Sequence, residues 1–538
     1  MSERFLVVPF LVALLLGTMP VIQVATDEAP FLTGDRCIGC HKGVENAAGV
    51  DVSIGLDWRA SMMANSGRDP YWQAAVRREV MDHPEAAGAI EDKCSRCHMP
   101  MANELDRRAD GVARVFAHAR GGAGTPEMQG LANDGVSCSL CHQIRPDGLG
   151  TEASYVGGFT IASDGPAAGR AVFGPFSPDE GDAGIMHSAT GYRPEEGDHV
   201  QSSELCASCH TLFTHAIRGG GMEGPEFPEQ VPYQEWAASR YAAEGRSCQD
   251  CHMPVVEEPV AVTGVLGQPR EDVSRHVFRG GNFFMLRLLN RYRGELGVVA
   301  LPQELTLSAQ RASEHLRTAT AVLAVENATV GEDGLGFDVV VSNRAGHKFP
   351  TAYPSRRAWL RVTVRDADGG LIFESGAFQH DGSIAGNDND RDPSRYEPHY
   401  EEIDDPSEVQ IYEAIMVDQN GEVTTGLMRA DRWIKDNRLL PEGFDPAGRE
   451  SRIGVRGDAR ADASFAAGGD RVRYRVPSAG ASRPFTVVAE LWFQPVAYRW
   501  AENLSAYDAF ETDRFVRYYR SMASASAMPL ARSERTVR

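Results

Sequence analysis

All ten cysteines of this 538-residue chain fall into five C-x-x-C pairs, and a histidine follows each pair. The pairs are Cys37/Cys40, Cys94/Cys97, Cys138/Cys141, Cys206/Cys209 and Cys248/Cys251, with His41, His98, His142, His210 and His252 behind them. The chain holds only 15 histidines, so chance does not account for five placed this way. Two thiols three positions apart lie on one side of a tight turn and can add to the two vinyl groups of one porphyrin. The adjacent imidazole then reaches the iron as proximal ligand. Five such signals imply five covalently bound haem c groups.

Three other uses of paired cysteines fit less well. Zinc ribbons use C-x-x-C knuckles in twos and give the following histidine no role. A redox-active dithiol occurs once per domain beside a βαβ pattern, which is absent around these sites. A disulfide framework suits small extracellular domains rather than 538 residues.

Haem c is attached outside the cytoplasm, so export is expected. Residues Phe5–Gly17, after Arg4, form the apolar core of a signal peptide, with processing expected between Val21 and Ala25. Apolar character runs on to Val24, close to the length of a membrane span, so an uncleaved N-terminal anchor is the alternative. No later stretch could cross a bilayer. The formal charge of −21 argues against nucleic acid and anionic membranes as partners. It suits redox partner proteins with basic docking patches, such as other cytochromes or a membrane quinol-linked complex, and it equally suits plain solubility.

The expected fold is α+β and multidomain. Segment 1–25 is the signal peptide or anchor, and 26–300 is a mostly helical and loop-built pentahaem domain. Segment 301–324 is a connecting helix, 325–500 an antiparallel β-sandwich-like domain, and 501–538 a C-terminal helix with a disordered tail. The motifs follow one another at irregular steps of 57, 44, 68 and 42 residues, so each haem has its own module of helix and loop. Helices are expected at Pro70–Met81, Tyr233–Ala243, Asn282–Arg293 and Ala506–Met522. Another is expected at Leu305–Leu323, where Leu305, Ala309, Ala312, Leu316, Ala319 and Leu323 form one stripe. Period-two patterning marks strands at Phe337–Ser342, Trp359–Arg365, Leu371–Glu374, Arg471–Val476 and Pro484–Gln494. The second and third of these form a hairpin through Asp366–Gly370.

Five irons need distal ligands. His276 precedes two glycines that let a flat macrocycle approach the backbone. His347, in G-H-K-F-P, is presented rigidly from the edge of the β region. His187 and His199 flank the fourth motif, and His118 lies between the second and third. Met63, in S-M-M-A, is a thioether candidate, since Met ligation raises the potential relative to two histidines. His215 is held in reserve, His315 reads as a packing residue beside the apolar stripe, and His83 as exposed. Arg356 and Arg357 are candidates to pair with haem propionates. The loop Gly386–Asp392 places Asp388, Asp390 and Asp392 in alternation, a candidate Ca2+ site, although Pro393 stands where an EF-hand needs glycine.

The stretches D-W-R-A-S-M-M-A, C-S-R-C-H-M-P, D-G-V-S-C-S-L-C-H, E-Q-V-P-Y-Q-E-W and C-Q-D-C-H-M-P resemble bacterial multihaem cytochromes c. This grouping includes the tetrahaem cytochrome of ammonia oxidisers and hydroxylamine oxidoreductase. G-H-K-F-P-T-A-Y-P-S-R-R and K-D-N-R-L-L-P are similar to a subgroup with a β domain behind the haems. The resemblance implies haems in near contact as a wire, with bis-His or His/Met ligation. Relatives carry an axial His in S-M-H-A, where this chain has Met63. Members divide between electron carriers and oxidoreductases of small nitrogen or sulfur compounds. At least six distal candidates for five irons, and no C-x-x-C-K variant, favour the carrier. An oxidoreductase with one open haem is the alternative, and a subunit of an electron conduit docking through its β domain is a third reading.

Overall fold

A computed structural model describes residues 30–109, 111–161, 169–219, 222–332, 334–445 and 452–538. The N-terminal segment read as signal peptide or anchor lies outside the described residues. Among the described residues no helix is long and apolar enough to cross a membrane.

The first half is built from short helices, loops and three two-stranded ribbons. Its longest helix is α1, Pro70–Asp82, started by Pro70 at the first turn and by the Asp69 carboxylate, which accepts from the amides of Tyr71 and Trp72. Helix α2, Ala87–His98, ends on the second motif. The expected Tyr233–Ala243 helix is two pieces, Pro232–Ala237 and Arg240–Ala243. They break because the Arg240 amide leaves the helix to bond Glu442 O at 2.7 Å. Helix α3, Phe283–Arg291, packs on α4, Pro302–Ala319, whose buried stripe is Leu305, Ala309, Ala312 and Leu316. The last residue assigned to that stripe, Leu323, instead lies buried in a strand.

That strand is β1, Ala321–Val330, which pairs with β2, Leu335–Asn343. Strand β3, Arg357–Arg365, and β4, Leu371–Ser375, form the expected hairpin. Strand β5 is Gly469–Val476 and β6 is Phe485–Gln494. One sheet runs β5-β2-β1, extended past β5 by Glu402–Ile403. The other runs β4-β3-β6 and ends on β7, Met528–Val537, while Ile411–Tyr412 also pairs with β3. A three-stranded sheet around Ala414–Val417 completes the region. Burial alternates along β5 and β6, as sheets with one buried face require. Phe373 of one sheet meets Tyr474 of the other edge-on at 6.2 Å.

The C-terminal segment is not a disordered tail. After α5, Phe510–Met522, β7 pairs along almost all of β6, from Phe485↔Val537 to Phe493↔Met528. Ser533 Oγ also accepts from Val325 N at 3.2 Å, tying β7 to β1.

Candidate functional site

Each motif sits on a single helical turn. The amides of His41, His142 and His210 bond the carbonyl of the first cysteine of their own motif, at 3.0, 3.1 and 2.9 Å. The second motif closes α2, and the fifth starts a turn, Cys248–His252, held by a capping box between Ser247 and Asp250. In a helical turn, positions i, i+3 and i+4 share one face. The two-residue spacer therefore aims both thiols and the imidazole the same way. None of the ten cysteines is in a disulfide.

These faces converge on one continuous cavity of about 1130 Å³. All five motif histidines and nine of the ten cysteines line it, Cys94 being the exception. The motifs also touch one another. The thiols of Cys37 and Cys138, of Cys97 and Cys209, and of Cys206 and Cys248 are near enough to perturb one another's acidity. The fourth motif thus has neighbours on two sides.

The motif imidazoles are set up as ligands. Nδ1 of His41, His142 and His252 donates to Val262 O, Phe173 O and Arg279 O at 2.8, 2.5 and 2.5 Å. A carbonyl can only accept, so the proton is on Nδ1 and the Nε2 lone pair is left for a metal. Burial pushes the pKa of His98 and of His252 down to about 4 and lowers that of His142 and His210. Burial thus favours the neutral form of these four, which is the form that ligates.

Two distal candidates share this design. His276 Nδ1 donates to Ser274 O at 3.1 Å and His347 Nδ1 to Lys348 O at 2.8 Å, which leaves both Nε2 atoms free. Their rings face motif histidines across the cavity. His142 and His276 have ring centres 6.2 Å apart with planes at 21°, and His252 and His347 are 6.3 Å apart at 16°. An iron bonded at about 2 Å to Nε2 of two opposed imidazoles separates their centres by roughly 6.2 Å. The residues present therefore fit haem iron at both places.

His118, His187 and His199 do not line the cavity. His118 Nε2 is committed to Asp106 at 2.6 Å, and His199 Nε2 donates to Ile144 O at 2.8 Å. His187 is exposed, with Nδ1 on Gly191 O at 3.1 Å. Met63 does line the cavity, as does Met62, and its carbonyl accepts from Val136 N beside the third motif.

The two arginines part company. Arg356 lines the cavity, donates to Thr351 O and Asn282 Oδ1 at 3.0 and 3.3 Å, and has no carboxylate partner among the described residues. Burial pulls its pKa down to about 10, so it is a desolvated cation lacking an anion. Arg357 is not available to a propionate, because Asp390 takes it bidentately at 2.8 and 2.9 Å.

That pair also removes one arm of the calcium reading. Asp388 bonds Arg395 at 2.5 Å and Asp392 accepts from Ser394 N and Oγ at 2.9 and 2.7 Å, so the three carboxylates serve separate partners. A different buried group, His399 with Asp462 and Asp470, has ligand atoms within 4.8 Å of one another. It is already closed by its own hydrogen bonds. His399 Nε2 donates to Asp462 at 3.0 Å, Nδ1 accepts from Gln410 at 2.9 Å, and Tyr412 OH donates to Asp470 at 2.8 Å.

Two contacts were not read from the sequence. Trp72 stacks on His98, and His315 lines the cavity with its ring centre 6.2 Å from that of His252. The Y-W pair at the start of α1 was a visible signal for the first, whereas the second had only the apolar stripe to go by.

No protein-family model matches the chain, and no curated protein matches it. It shares its fold with a solved structure, the penta-heme cytochrome c552 from Thermochromatium tepidum, at a TM-score of 0.51 and 15% identity. The alignment covers 95% of this chain and 100% of that one. The chain thus has the overall fold of a multihaem cytochrome c.

Proposed function

We propose that the protein is a five-haem c-type cytochrome that carries electrons in the cell envelope. The observation that carries this reading is the pairing of His142 with His276 and of His252 with His347 at an iron-bridging separation, inside a cavity that all five motif histidines line. Bound haem would supply a one-electron redox centre at each motif. The chain's own residues hold the ten attachment thiols, fix the Nδ1 tautomer of the ligating imidazoles and keep bulk water from their faces. His276 and His347 are the distal ligands for the third and fifth motifs, and Met63 is the thioether candidate for another. Arg356 is placed to pair with a haem propionate. The two β sheets, read as a sandwich behind the haem region, deliver His347.

The hydroxylamine-oxidoreductase-like resemblance, the export signal at 1–25 and redox partners with basic surfaces complete the reading. Haem attachment requires export, and an acidic chain suits basic partners.

The test is haem stoichiometry by pyridine haemochrome on the purified holoprotein, with low-temperature EPR during redox titration. Five haems per chain, all low-spin in the ferric state, support the carrier. Fewer than five haems would sink the reading. Five haems with one high-spin ferric signal would favour an oxidoreductase of a small nitrogen or sulfur compound instead.

A further inference from the structure

Three of the stretches that carry the family resemblance meet behind His347. E-Q-V-P-Y-Q-E-W supplies Glu235, G-H-K-F-P-T supplies Lys348 and Thr351, and K-D-N-R-L-L-P supplies Asp436 and Arg438. Lys348 pairs with Asp436 at 2.7 Å, Asp436 with Arg438 at 2.8 Å, and Arg438 with Glu235 at 2.9 Å. Thr351 Oγ1 donates to the other oxygen of Glu235. Glu235 and Lys348 are wholly buried, and Asp436 and Arg438 are nearly so. The run of pairs ends on the ligand candidate, because His347 Nδ1 donates to the Lys348 carbonyl at 2.8 Å.

Two cations and two anions make this cluster neutral in sum, which spares the fold the cost of a buried charge without a partner. Its members do not act on His347 equally. The charges felt most strongly at that ring are one anion, Glu235, and two cations, Arg356 and Arg438. Glu235 offsets Arg438 directly. It faces Arg356 across Thr351, whose carbonyl accepts from Arg356 Nη1 at 3.0 Å. Of the four charged members, Glu235 alone comes from the first half of the chain, on the Pro232–Ala237 helix. Its carboxylate is thus the counterweight to two cations in a region where water is excluded and a charge is felt far more strongly than in solution.

We propose that Glu235 sets the midpoint potential of the haem held between His252 and His347, as the anion that balances Arg356 and Arg438 beside the distal ligand. No hydrogen bond joins Glu235 to His347 among the described residues, so it acts through the field of the cluster rather than as a ligand. An anion at this place favours the ferric state and holds the potential down. This rests on the haem reading above.

The experiment is a spectroelectrochemical titration of full-length holoprotein, wild type against E235Q, E235D and T351V, with haem content and low-temperature EPR recorded for each. E235Q keeps the shape of the side chain and removes its charge. One midpoint is expected to rise, with the reduced-to-oxidised ratio of that haem increased about tenfold at a fixed potential, which is about 59 mV for one electron. The other midpoints should stay close to wild type. The ferric spectrum should match wild type, with no new high-spin signal, because His347 keeps its seat on Lys348. E235D keeps the charge on a shorter side chain, so it should hold the wild-type midpoint even where it lowers stability. An unmoved midpoint in E235Q, or an equal shift in E235D, is what a merely structural Glu235 would give, and either overturns the proposal. A new high-spin haem in E235Q overturns it as well, since the residue would then be holding the ligand in place. Should E235Q not accumulate, T351V decides. It deletes the hydroxyl that donates to Glu235 and leaves more of the negative charge uncompensated, so one midpoint should fall, and an unchanged or raised one counts against the proposal. Fewer than five haems in the wild type would refute the haem reading and this proposal with it, whereas five haems with an unmoved midpoint would refute the proposal alone.

Discussion

Trp72 lies flat against His98, with ring centres 4.4 Å apart and planes within 3°. The stack stands in for a hydrogen bond. His98 Nδ1 reaches Ser66 O only at 3.4 Å, while three of the other motif histidines have carbonyl contacts of 2.8 Å or less. Orientation of the second motif's imidazole therefore depends on the indole.

Trp72→Ala should cost about 3–5 kcal/mol of stability as a large-to-small change at a buried site. It should also shift the midpoint potential of a single haem as His98 turns. Trp72→Phe keeps an aromatic face, so it should retain most of the potential while losing part of the stability. Thermal unfolding and spectroelectrochemistry separate the two effects.

Asp436 lies between two buried cations, Lys348 at 2.7 Å and Arg438 at 2.8 Å. Burial alone would raise its pKa, but Arg438 and Lys348 together bring it down to about 2 from the usual 3.8. A lowered carboxyl pKa stabilises the fold above pH 3.8, and that contribution is lost as pH falls through 2. It amounts to about 2 kcal/mol. Asp436→Asn should cost about 3–5 kcal/mol near neutrality, because Lys348 keeps its charge without a partner. It should also flatten the acid limb of the stability curve measured by denaturant titration between pH 4 and 2.

Glu229 has the opposite sign. Burial, and then the nearby carboxylate of Glu79, raise its pKa to about 8 from 4.5, with Lys93 opposing. The folded state then holds a proton that the unfolded chain releases. Its contribution is full below pH 4.5 and is lost as pH rises through 8. Glu229→Gln should therefore remove a decline of several kcal/mol across that window. A stability profile as steep as wild type between pH 5 and 8 would falsify this assignment.

Arg356 is the desolvated cation beside the cavity, and its field reaches His210. Arg356→Met should lower one haem midpoint potential by about 50–100 mV, the scale of one charge at close range in a medium of intermediate dielectric. Arg357→Met should leave all five midpoints near wild type while costing about 3–5 kcal/mol, because Asp390 loses its buried partner. Comparing the two titrations checks the division of roles.

Removing residues 528–538 should leave β6 as an open edge and sever the tie between Ser533 and Val325. The expected result is insoluble or unstable protein, read as loss of soluble haem-stained material.

The five C-x-x-C-H turns were legible because they depend on spacing within five residues. Strands β2, β3 and β6 were legible because one buried face imposes a period of two. The end of α4 was not. Leu323 continues the helical stripe and also fits an alternating strand, and pairing of β1 with β2 decides for the strand. Segment 528–537 reads as solvated because Arg532, Glu534 and Arg535 crowd its middle and are exposed, while Leu530 and Val537 are buried. The surroundings of the distal-ligand candidates were only half legible. The sequence marks where a histidine stands, but not whether its Nε2 is already spent on Asp106, as for His118, or on Ile144 O, as for His199.

The thiol pairs between motifs have a consequence for biogenesis. Folding ahead of haem attachment would set Cys37 against Cys138, Cys97 against Cys209 and Cys206 against Cys248. In an oxidising compartment such neighbours cross-link, and each wrong bridge would disable two attachment sites at once. If the motifs take haem as proposed, the order of assembly is constrained: the thiols must stay reduced, and the chain open, until each motif has received its porphyrin.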